Sequence, residues 1–313
     1  MQNVVLLFPG QGSQVPGMGK DLAERFPQAR EVFEAADVAI DAPLSRLCFE
    51  GPAEELTRTL NAQPALLAHG AAAWAVLREA LGPHVVAAAG HSLGEFTAYH
   101  AADALALPEA VRLVRRRGEL MFEAGIKSQG TMAAVLGTPS VSIEEICEQA
   151  SEDGGLTVPA NYNAPGQIVI SGEVAAVERA MELVKLAGAK AKRLNVSGAF
   201  HSPLMESAAV GLRSALDVAH FADPRFPVYA NVNAQPVKDA ALARRLLIEQ
   251  LTSPVQWIRE VEALATLHPD ALYLELGPGA VLKGLIKKIA PDLKVLSCGT
   301  GADVEAILAL VAA

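Results

Sequence analysis

The chain has 313 residues, of which 51% are hydrophobic and 19% are charged, and its formal net charge is −9. This composition excludes a disordered chain, and the length favours one large α/β domain, alone or with a smaller inserted domain. The negative net charge argues against a nucleic-acid partner, because phosphate binding needs a basic face.

No uninterrupted apolar stretch reaches the roughly 18 residues that a membrane span needs. The N-terminus has neither the cationic start nor the long apolar run of a signal peptide. Three scattered cysteines, Cys48, Cys147 and Cys298, form no CxxC pair, which argues against a disulfide framework and a zinc site. We therefore expect a cytoplasmic protein that binds neither a membrane nor a metal. We also expect a monomer, although these features of the sequence do not determine the oligomeric state.

Two strand-to-loop transitions lie in the first hundred residues. An apolar run at residues 4–8 predicts a buried strand that ends in the Gly-rich loop Pro9-Gly10-Gln11-Gly12-Ser13. A second apolar run at residues 85–89 stops at Gly90, and a helical pattern begins after Gly94. The second transition therefore has the order strand, sharp turn, helix.

The segment between residues 131 and 196 predicts a small domain of its own. Its predicted elements are a strand at 131–136, a helix at 142–151, strands at 156–161 and 167–171, a helix at 174–187 and a strand at 191–196. This βαββαβ order is ferredoxin-like. We predict a small subdomain at 128–196 inserted into a large α/β-hydrolase-like domain formed by 1–127 and 197–313. The hinges are predicted at 125–130 and 197–198, with a substrate cleft between the two parts.

Helices and strands alternate after the insertion. The predicted elements are helices at 203–218, 240–251, 257–267 and 281–289 and strands at 228–230 and 272–276, followed by a last strand and helix. Such alternation favours a parallel sheet covered by helices on both faces.

The segment Gly90-His91-Ser92-Leu93-Gly94 fits the G-x-S-x-G pattern of a nucleophile elbow. Its glycines permit a strained turn that lifts the serine hydroxyl clear of the sheet. The N-terminus of the following helix directs free N–H groups towards an oxyanion on the acyl carbonyl. Ser92 is therefore predicted to be the nucleophile of an acyl-transfer enzyme.

A serine nucleophile needs a base, and His201 is the candidate among seven histidines. It lies in the turn Gly198-Ala199-Phe200-His201-Ser202-Pro203, between the small domain and a helix that begins with proline. His91 adjoins Ser92, but consecutive side chains diverge, so we expect it to be structural or exposed. Position alone leaves the choice of His201 open.

Arg117 differs from its neighbours in the run Arg115-Arg116-Arg117, because its helical neighbours three and four residues away are all apolar. It is therefore predicted to lie on a buried helical face. A buried guanidinium needs an anionic partner, which is either a protein carboxylate in an internal salt bridge or a substrate carboxylate.

The sequence closely resembles the malonyl-CoA:acyl-carrier-protein transacylases of bacterial fatty-acid synthesis over essentially its whole length. The segments that carry the resemblance are Phe8 to Gln14 with Gly17-Met18-Gly19, Gly90 to Glu95, Arg117-Gly118 with Met121, Asn161 to Gly172, Gly198 to Ser202, Gln250-Leu251 with Pro254-Val255, and Glu275 to Gly279.

The resemblance implies that Ser92 is the nucleophile, His201 its base and Arg117 the anchor of the malonyl carboxylate. It also implies that Gln250 orients His201 and that the backbone N–H groups of Gln11 and Leu93 form the oxyanion hole. Met121, Phe200 and Asn163 are expected to line the substrate site, and Phe200 favours malonyl over methylmalonyl groups. Malonyl-CoA and acyl-carrier protein are the expected partners, and no metal or redox cofactor is expected.

Two other functions remain open from the sequence. A hydrolase of the α/β-hydrolase type shares the nucleophile elbow but uses an Asp or Glu to orient its histidine. A non-catalytic scaffold within a synthase would retain the motifs without using them. If the partner is an acidic carrier protein, it must dock at a local basic patch, and the candidates are Lys190, Lys192 and Arg193 or Lys283, Lys287 and Lys288.

Overall fold

The computed structural model describes residues 2–152 and 154–312. Their helices are α1 (Lys20–Arg25), α2 (Pro27–Ile40), α3 (Leu44–Glu50), α4 (Ala53–Thr57), α5 (Thr59–Leu81), α6 (Gly94–Ala101), α7 (Leu107–Lys127), α8 (Ile143–Glu152), α9 (Val174–Leu186), α10 (Glu206–Val218), α11 (Ala240–Glu249), α12 (Trp257–Leu267), α13 (Val281–Ile289) and α14 (Gly301–Ala312). Their strands are β1 (Val4–Phe8), β2 (Val85–Gly90), β3 (Gly130–Leu136), β4 (Thr157–Ala164), β5 (Gln167–Glu173), β6 (Lys190–Arg193), β7 (Val228–Tyr229), β8 (Pro236–Val237), β9 (Leu272–Glu275) and β10 (Lys294–Ser297).

A six-stranded sheet in the order β10-β9-β1-β2-β7-β8 forms the centre of the larger part. All its neighbouring strands run parallel except the β7–β8 pair. Side chains of β1 alternate between the two faces: Leu6 packs in the core with α2, α5 and α7, whereas Leu7 packs with α12 and α13. The predicted parallel sheet with helices on both faces is therefore confirmed.

The smaller part is a four-stranded antiparallel sheet in the order β4-β5-β3-β6. Its strands and helices follow one another in the predicted βαββαβ order. Ala133, Val135 and Ile170 pack on one face of this sheet against α8 and α9, while Met132 and Val169 turn to the other face and join the core of the larger part.

The structure differs from the sequence predictions at both ends of this segment. Residues 125–127, predicted as part of a hinge, form the last turn of α7. The final strand, predicted to reach residue 196, ends at Arg193. A Cβ on Gly125 would lie 2.3 Å from the backbone oxygen of Ser197, so the two connections are in close contact.

Several elements went unpredicted, namely the helices α1 to α5 and the short strand β8. The predicted helix at 203–218 begins as a 3-10 turn at Pro203–Met205, before α10. Within the described part of the chain, no helix is both long enough and apolar enough to cross a bilayer.

Candidate active site

The loops that follow β1, β2, β7 and β9 all lie at the carboxyl edge of the six-stranded sheet, since these strands are parallel. They bring together the Gly-rich loop after Phe8, Ser92 after β2, and Asn231 after β7. The fourth loop, after β9, supports the first: a Cβ on Gly277 would lie 2.2 Å from the ring of Pro9. The sheet topology therefore assembles one site from distant parts of the sequence.

Ser92 has the strained conformation of a nucleophile elbow, with φ of 53°. The two flanking glycines have no room for a side chain. A Cβ on Gly90 would lie 2.0 Å from the backbone of Gly94, and a Cβ on Gly94 would lie 2.1 Å from the carbonyl oxygen of Phe8. Close packing of α6 against β1 and β2 thus explains both glycines.

His201 lies beside Ser92, with its Nε2 atom 2.9 Å from the serine Oγ. Its Nδ1–H donates to the backbone carbonyl of Gln250 at 2.8 Å. A carbonyl only accepts, so Nδ1 carries the proton and Nε2 is free to accept the serine proton. The ring is aimed by a turn in which His201 has φ of 56° and Ser202 caps the following 3-10 turn.

Burial and the positive charge of Arg117 lower the pKa of His201 to about 3, against the opposing effect of the hydrogen bond to the Gln250 carbonyl. The imidazole is therefore neutral throughout the physiological range, which is the state that a general base requires.

Arg117 is buried, with 1% of its surface exposed, and lies within hydrogen-bonding distance of the nucleophile. Its Nη1 donates to Gln63 Oε1 at 2.7 Å, and its Nη2 donates to Gln250 Oε1 at 2.8 Å and to Ser92 Oγ at 3.1 Å. Its Nε–H has no acceptor among the described residues, and its acceptors there include no carboxylate. The internal salt bridge considered from the sequence is therefore not formed within them.

Gln250 is fully buried. Its backbone carbonyl accepts a hydrogen bond from His201, whereas its side chain makes hydrogen bonds to other residues. The Nε2 atom donates to Glu95 Oε2 at 2.7 Å and to the backbone oxygen of Ser92 at 3.0 Å. One residue thus connects the histidine, the elbow and, through Oε1, Arg117.

The backbone N–H groups of Gln11 and Leu93 have no hydrogen-bond acceptor among the described residues. Both residues line the cavity that contains Ser92. Gly10 lets the Gln11 loop approach the elbow, since a Cβ there would lie 2.7 Å from the backbone oxygen of His91. Two free N–H donors beside the nucleophile are what an oxyanion hole needs.

A cavity of about 350 Å³ opens over Ser92, between the large sheet and the face of the small sheet that carries Met132 and Val169. Met121, Phe200 and Asn163 line it, as do residues 194–196, which leave the small sheet where the final strand was predicted to continue. His91 also lines this cavity, and its Nε2 lies 2.7 Å from Asn163 Oδ1. His91 is thus a structural residue placed at the site rather than on the surface.

Four buried polar residues of the site were missed from the sequence: Gln63, Glu95, Asn231 and Glu260. Asn231 is the most connected of them. Its Oδ1 accepts from the Ser92 N–H at 2.7 Å, and its Nδ2 donates to the Gly90 carbonyl at 2.8 Å and to Glu260 at 3.0 Å. A polar residue directly after a predicted strand was the one available signal.

This arrangement is suited to acyl transfer through a serine ester. It provides a strained serine, a neutral base at 2.9 Å, free N–H donors for an oxyanion and a buried cation for an acidic acyl group.

Comparisons with known proteins agree with this chemistry. A family model described as an acyl transferase domain matches residues 5–292. The malonyl CoA-acyl carrier protein transacylase of Bacillus subtilis (strain 168) is 45% identical over 307 residues, covering 97% of this chain and 96% of that protein.

Solved structures give the same result. The acyl-carrier-protein-S-malonyltransferase of Bartonella henselae superposes with a TM-score of 0.94 at 42% identity, covering 99% of this chain and 100% of that one. A malonyl-transacylase in complex with its type II PKS acyl-carrier protein superposes with a TM-score of 0.93 at 39% identity, covering 98% of this chain and 99% of that one. The chain belongs to the acyl transferase family, among the malonyl-CoA:acyl-carrier-protein transacylases.

Proposed function

We propose that this enzyme transfers the malonyl group of malonyl-CoA to the phosphopantetheine thiol of an acyl-carrier protein, for fatty-acid or polyketide synthesis. The observation that carries the proposal is Arg117, a buried guanidinium 3.1 Å from the nucleophile that has no carboxylate among its described partners. In a malonyl ester one methylene separates the acyl carbonyl from a free carboxylate. An acyl group on Ser92 would therefore bring that carboxylate to the guanidinium.

The proposed reaction has two half-reactions. Ser92 Oγ attacks the thioester carbon while His201 Nε2 takes its proton, and the C–S bond breaks as that proton passes to the CoA sulfur. The carrier thiol then gives its proton to His201 and attacks the carbonyl carbon of the malonyl ester, and the C–O bond to Ser92 breaks as that proton passes to the serine oxygen. Each tetrahedral intermediate places its oxyanion at the N–H groups of Gln11 and Leu93.

The proposed reaction needs no metal or redox cofactor, because a thioester is already activated and no electrons are transferred. We further propose that the enzyme acts as a monomer in the cytoplasm. Each role in the proposed reaction is assigned to a residue of this chain, so the reaction requires no residue from a second subunit. Light scattering of the purified protein would test that state, and an active dimer with an inactive monomer would contradict it.

Mixing the protein with malonyl-CoA and measuring its intact mass tests the covalent step. We expect a malonyl adduct that disappears when acyl-carrier protein is added and does not form in Ser92→Ala. No adduct on the unaltered protein would favour the non-catalytic scaffold. Release of free malonate as fast as transfer would favour the hydrolase.

The docking face for an acidic carrier protein is proposed at Lys190, Lys192 and Arg193. These residues form β6, and the chain continues from them directly into residues 194–196 of the cavity wall. Both lysines are exposed, whereas Arg193 is already paired with Glu178 at 3.2 Å.

Charge reversal distinguishes this face from the second basic patch on α13. We expect Lys190→Glu with Lys192→Glu to raise the KM for carrier protein and to leave acylation by malonyl-CoA unchanged. Lys283→Glu with Lys287→Glu is the matched control, and the opposite result would move the docking face to α13.

A further inference from the structure

The strongest feature that the proposed mechanism leaves unused is Glu95, which is fully buried behind the nucleophile. Its Oε2 accepts two hydrogen bonds, from Gln250 Nε2 at 2.7 Å and from the Asn231 backbone N–H at 3.1 Å. Its Oε1 has no partner among the described residues. A buried carboxyl group is costly to keep unless it interacts with a positive charge or does specific work.

The positive charge nearest in this network is Arg117, and one amide group separates it from Glu95. Arg117 Nη2 donates to Gln250 Oε1, and Gln250 Nε2 donates to Glu95 Oε2. Burial raises the pKa of Glu95 to about 7, against the opposing effects of the hydrogen bonds from Asn231 and Gln250 and of the charge on Arg117. Above that pH the carboxylate attracts the guanidinium across the amide without occupying any of its N–H donors. A direct ion pair would instead occupy donors and offset the charge that a substrate carboxylate needs.

The same chain of hydrogen bonds fixes the orientation of the Gln250 amide. Arg117 can only donate and an ionised Glu95 can only accept, so the amide oxygen must point to one and the amide nitrogen to the other. If position 95 could both donate and accept, only the Ser92 carbonyl at 3.0 Å and Asn231 Oδ1 at 3.2 Å would still hold the Gln250 NH₂ group, and the amide could more easily rotate and turn that group towards the guanidinium. Arg117 would then lose an acceptor and its fixed position beside Ser92.

We propose that Glu95 is a positioning residue for selection of the acidic acyl group, acting through the Gln250 amide to hold Arg117 ready for a substrate carboxylate. This inference rests on the proposed malonyl transfer and adds to it the group that prepares the selective cation. A neutral acyl group makes no ion pair with Arg117, so its transfer depends less on Glu95.

The test is Glu95→Gln, which preserves size but removes the charge and the fixed acceptor. Acyl-enzyme formation is followed by rapid quench and intact mass at pH 8, with malonyl-CoA and acetyl-CoA as separate substrates. We expect kcat/KM for malonyl-CoA to fall about tenfold or more, mainly through KM, while the value for acetyl-CoA changes less than about threefold.

Glu260→Gln is the matched control. Glu260 is as fully buried as Glu95 and is bonded to Asn231, but it makes no hydrogen bond to Gln250 or Arg117. We expect it to leave the malonyl-to-acetyl ratio unchanged. Equal losses for both substrates in Glu95→Gln, or the same change of ratio in Glu260→Gln, would overturn the proposal. A failure of the unaltered protein to form any malonyl adduct would instead refute the proposed function.

A second variant covers the case in which Glu95→Gln does not fold. The double change Glu95→Gln with Gln250→Glu keeps one carboxyl and one amide in the network but exchanges their places, so that the carboxylate contacts Arg117 directly. The backbone carbonyl that holds His201 is retained. We expect this protein to lose its preference for malonyl-CoA over acetyl-CoA, and full retention of that preference would overturn the proposal.

Discussion

Arg117 is a buried cation whose described hydrogen-bond partners are all uncharged. Two glutamine side chains hold it, and no carboxylate is among its described hydrogen-bond partners. Burial lowers the pKa of Arg117 to about 10, and the negative charge of Glu95 opposes this shift. The guanidinium therefore stays charged at neutral pH. A guanidinium that is charged and has no carboxylate partner is suited to bind an anionic substrate.

Arg117→Ala should therefore lose malonyl transfer selectively. A charge-assisted hydrogen bond contributes about 1.5 to 3 kcal/mol, so kcat/KM for malonyl-CoA should fall about 10- to 150-fold while transfer from acetyl-CoA gains in relative terms. Arg116→Ala is the control, since Arg116 is exposed on the same helix and pairs with Glu119 and Glu123. Equal losses for both substrates would mean that Arg117 is structural.

His201 should stay neutral well below the pH at which an ordinary histidine becomes protonated. Burial and the charge of Arg117 lower its pKa to about 3, whereas the pKa of a solvated histidine is about 6.5. In NMR spectra of protein with ¹³C-labelled histidine, the resonance that disappears in His201→Gln should not shift between pH 8 and pH 5. A midpoint near 6.5 would contradict the buried, neutral base.

At the scale of elements, the elbow depends on close packing between α6 and β1. Gly94 begins α6, and the carbonyl oxygen of Phe8 occupies the space of its missing Cβ at 2.1 Å. The contact ties the nucleophile to the strand that leads into the Gln11 loop. Any side chain at this position must therefore separate the two halves of the site.

Gly94→Ala should lower the free energy of unfolding by about 3 kcal/mol or more, because overpacking against a backbone atom cannot be relieved by a rotamer change. Acylation of Ser92 should fall with it. Gly284→Ala is the matched control, because Gly284 is exposed on α13 and a Cβ there meets nothing within 4 Å. That variant should be as stable as the original or gain up to about 1 kcal/mol. Urea denaturation measures both, and similar unfolding midpoints would contradict the packing argument.

At the scale of the whole molecule, the buried His69 links α5 to the residues that follow β10. This residue is fully buried and donates from Nε2 to the backbone oxygen of Gly299 at 3.0 Å. Burial lowers its pKa to about 4, against the opposing effects of Gly299 and Asp21. The folded protein therefore binds a proton at His69 less readily than the unfolded chain does.

A lowered histidine pKa destabilises the folded state as the pH falls, because the unfolded chain takes up a proton below about pH 6.5 and the folded chain does not. Between pH 7 and pH 4 the protein should lose about 3 kcal/mol of stability that His69→Gln does not lose. Urea titrations at several pH values give the difference between the two proteins. Parallel curves would show that His69 does not titrate as inferred.

The sequence by itself determined the fold class and the position of the candidate nucleophile. Alternating strands and helices specified a parallel sheet, and the βαββαβ order specified the small antiparallel sheet, because hydrophobic periodicity is a local property. Ser92 was identified because the elbow is also local, with its strand, both glycines and its helix within one short segment. The whole-chain resemblance supplied the roles of His201 and Arg117, and it alone singled out Gln250.

Tertiary structure alone decided how these residues work together. That Gln250 holds His201 by its backbone carbonyl and Arg117 by its side chain depends on contacts between residues that are 49 and 133 positions apart in the sequence. The buried roles of Glu95 and Asn231 have the same origin. A hydrogen bond between distant residues leaves no periodic trace in a sequence, because it depends on where the sheet brings its loops together and not on neighbours along the chain.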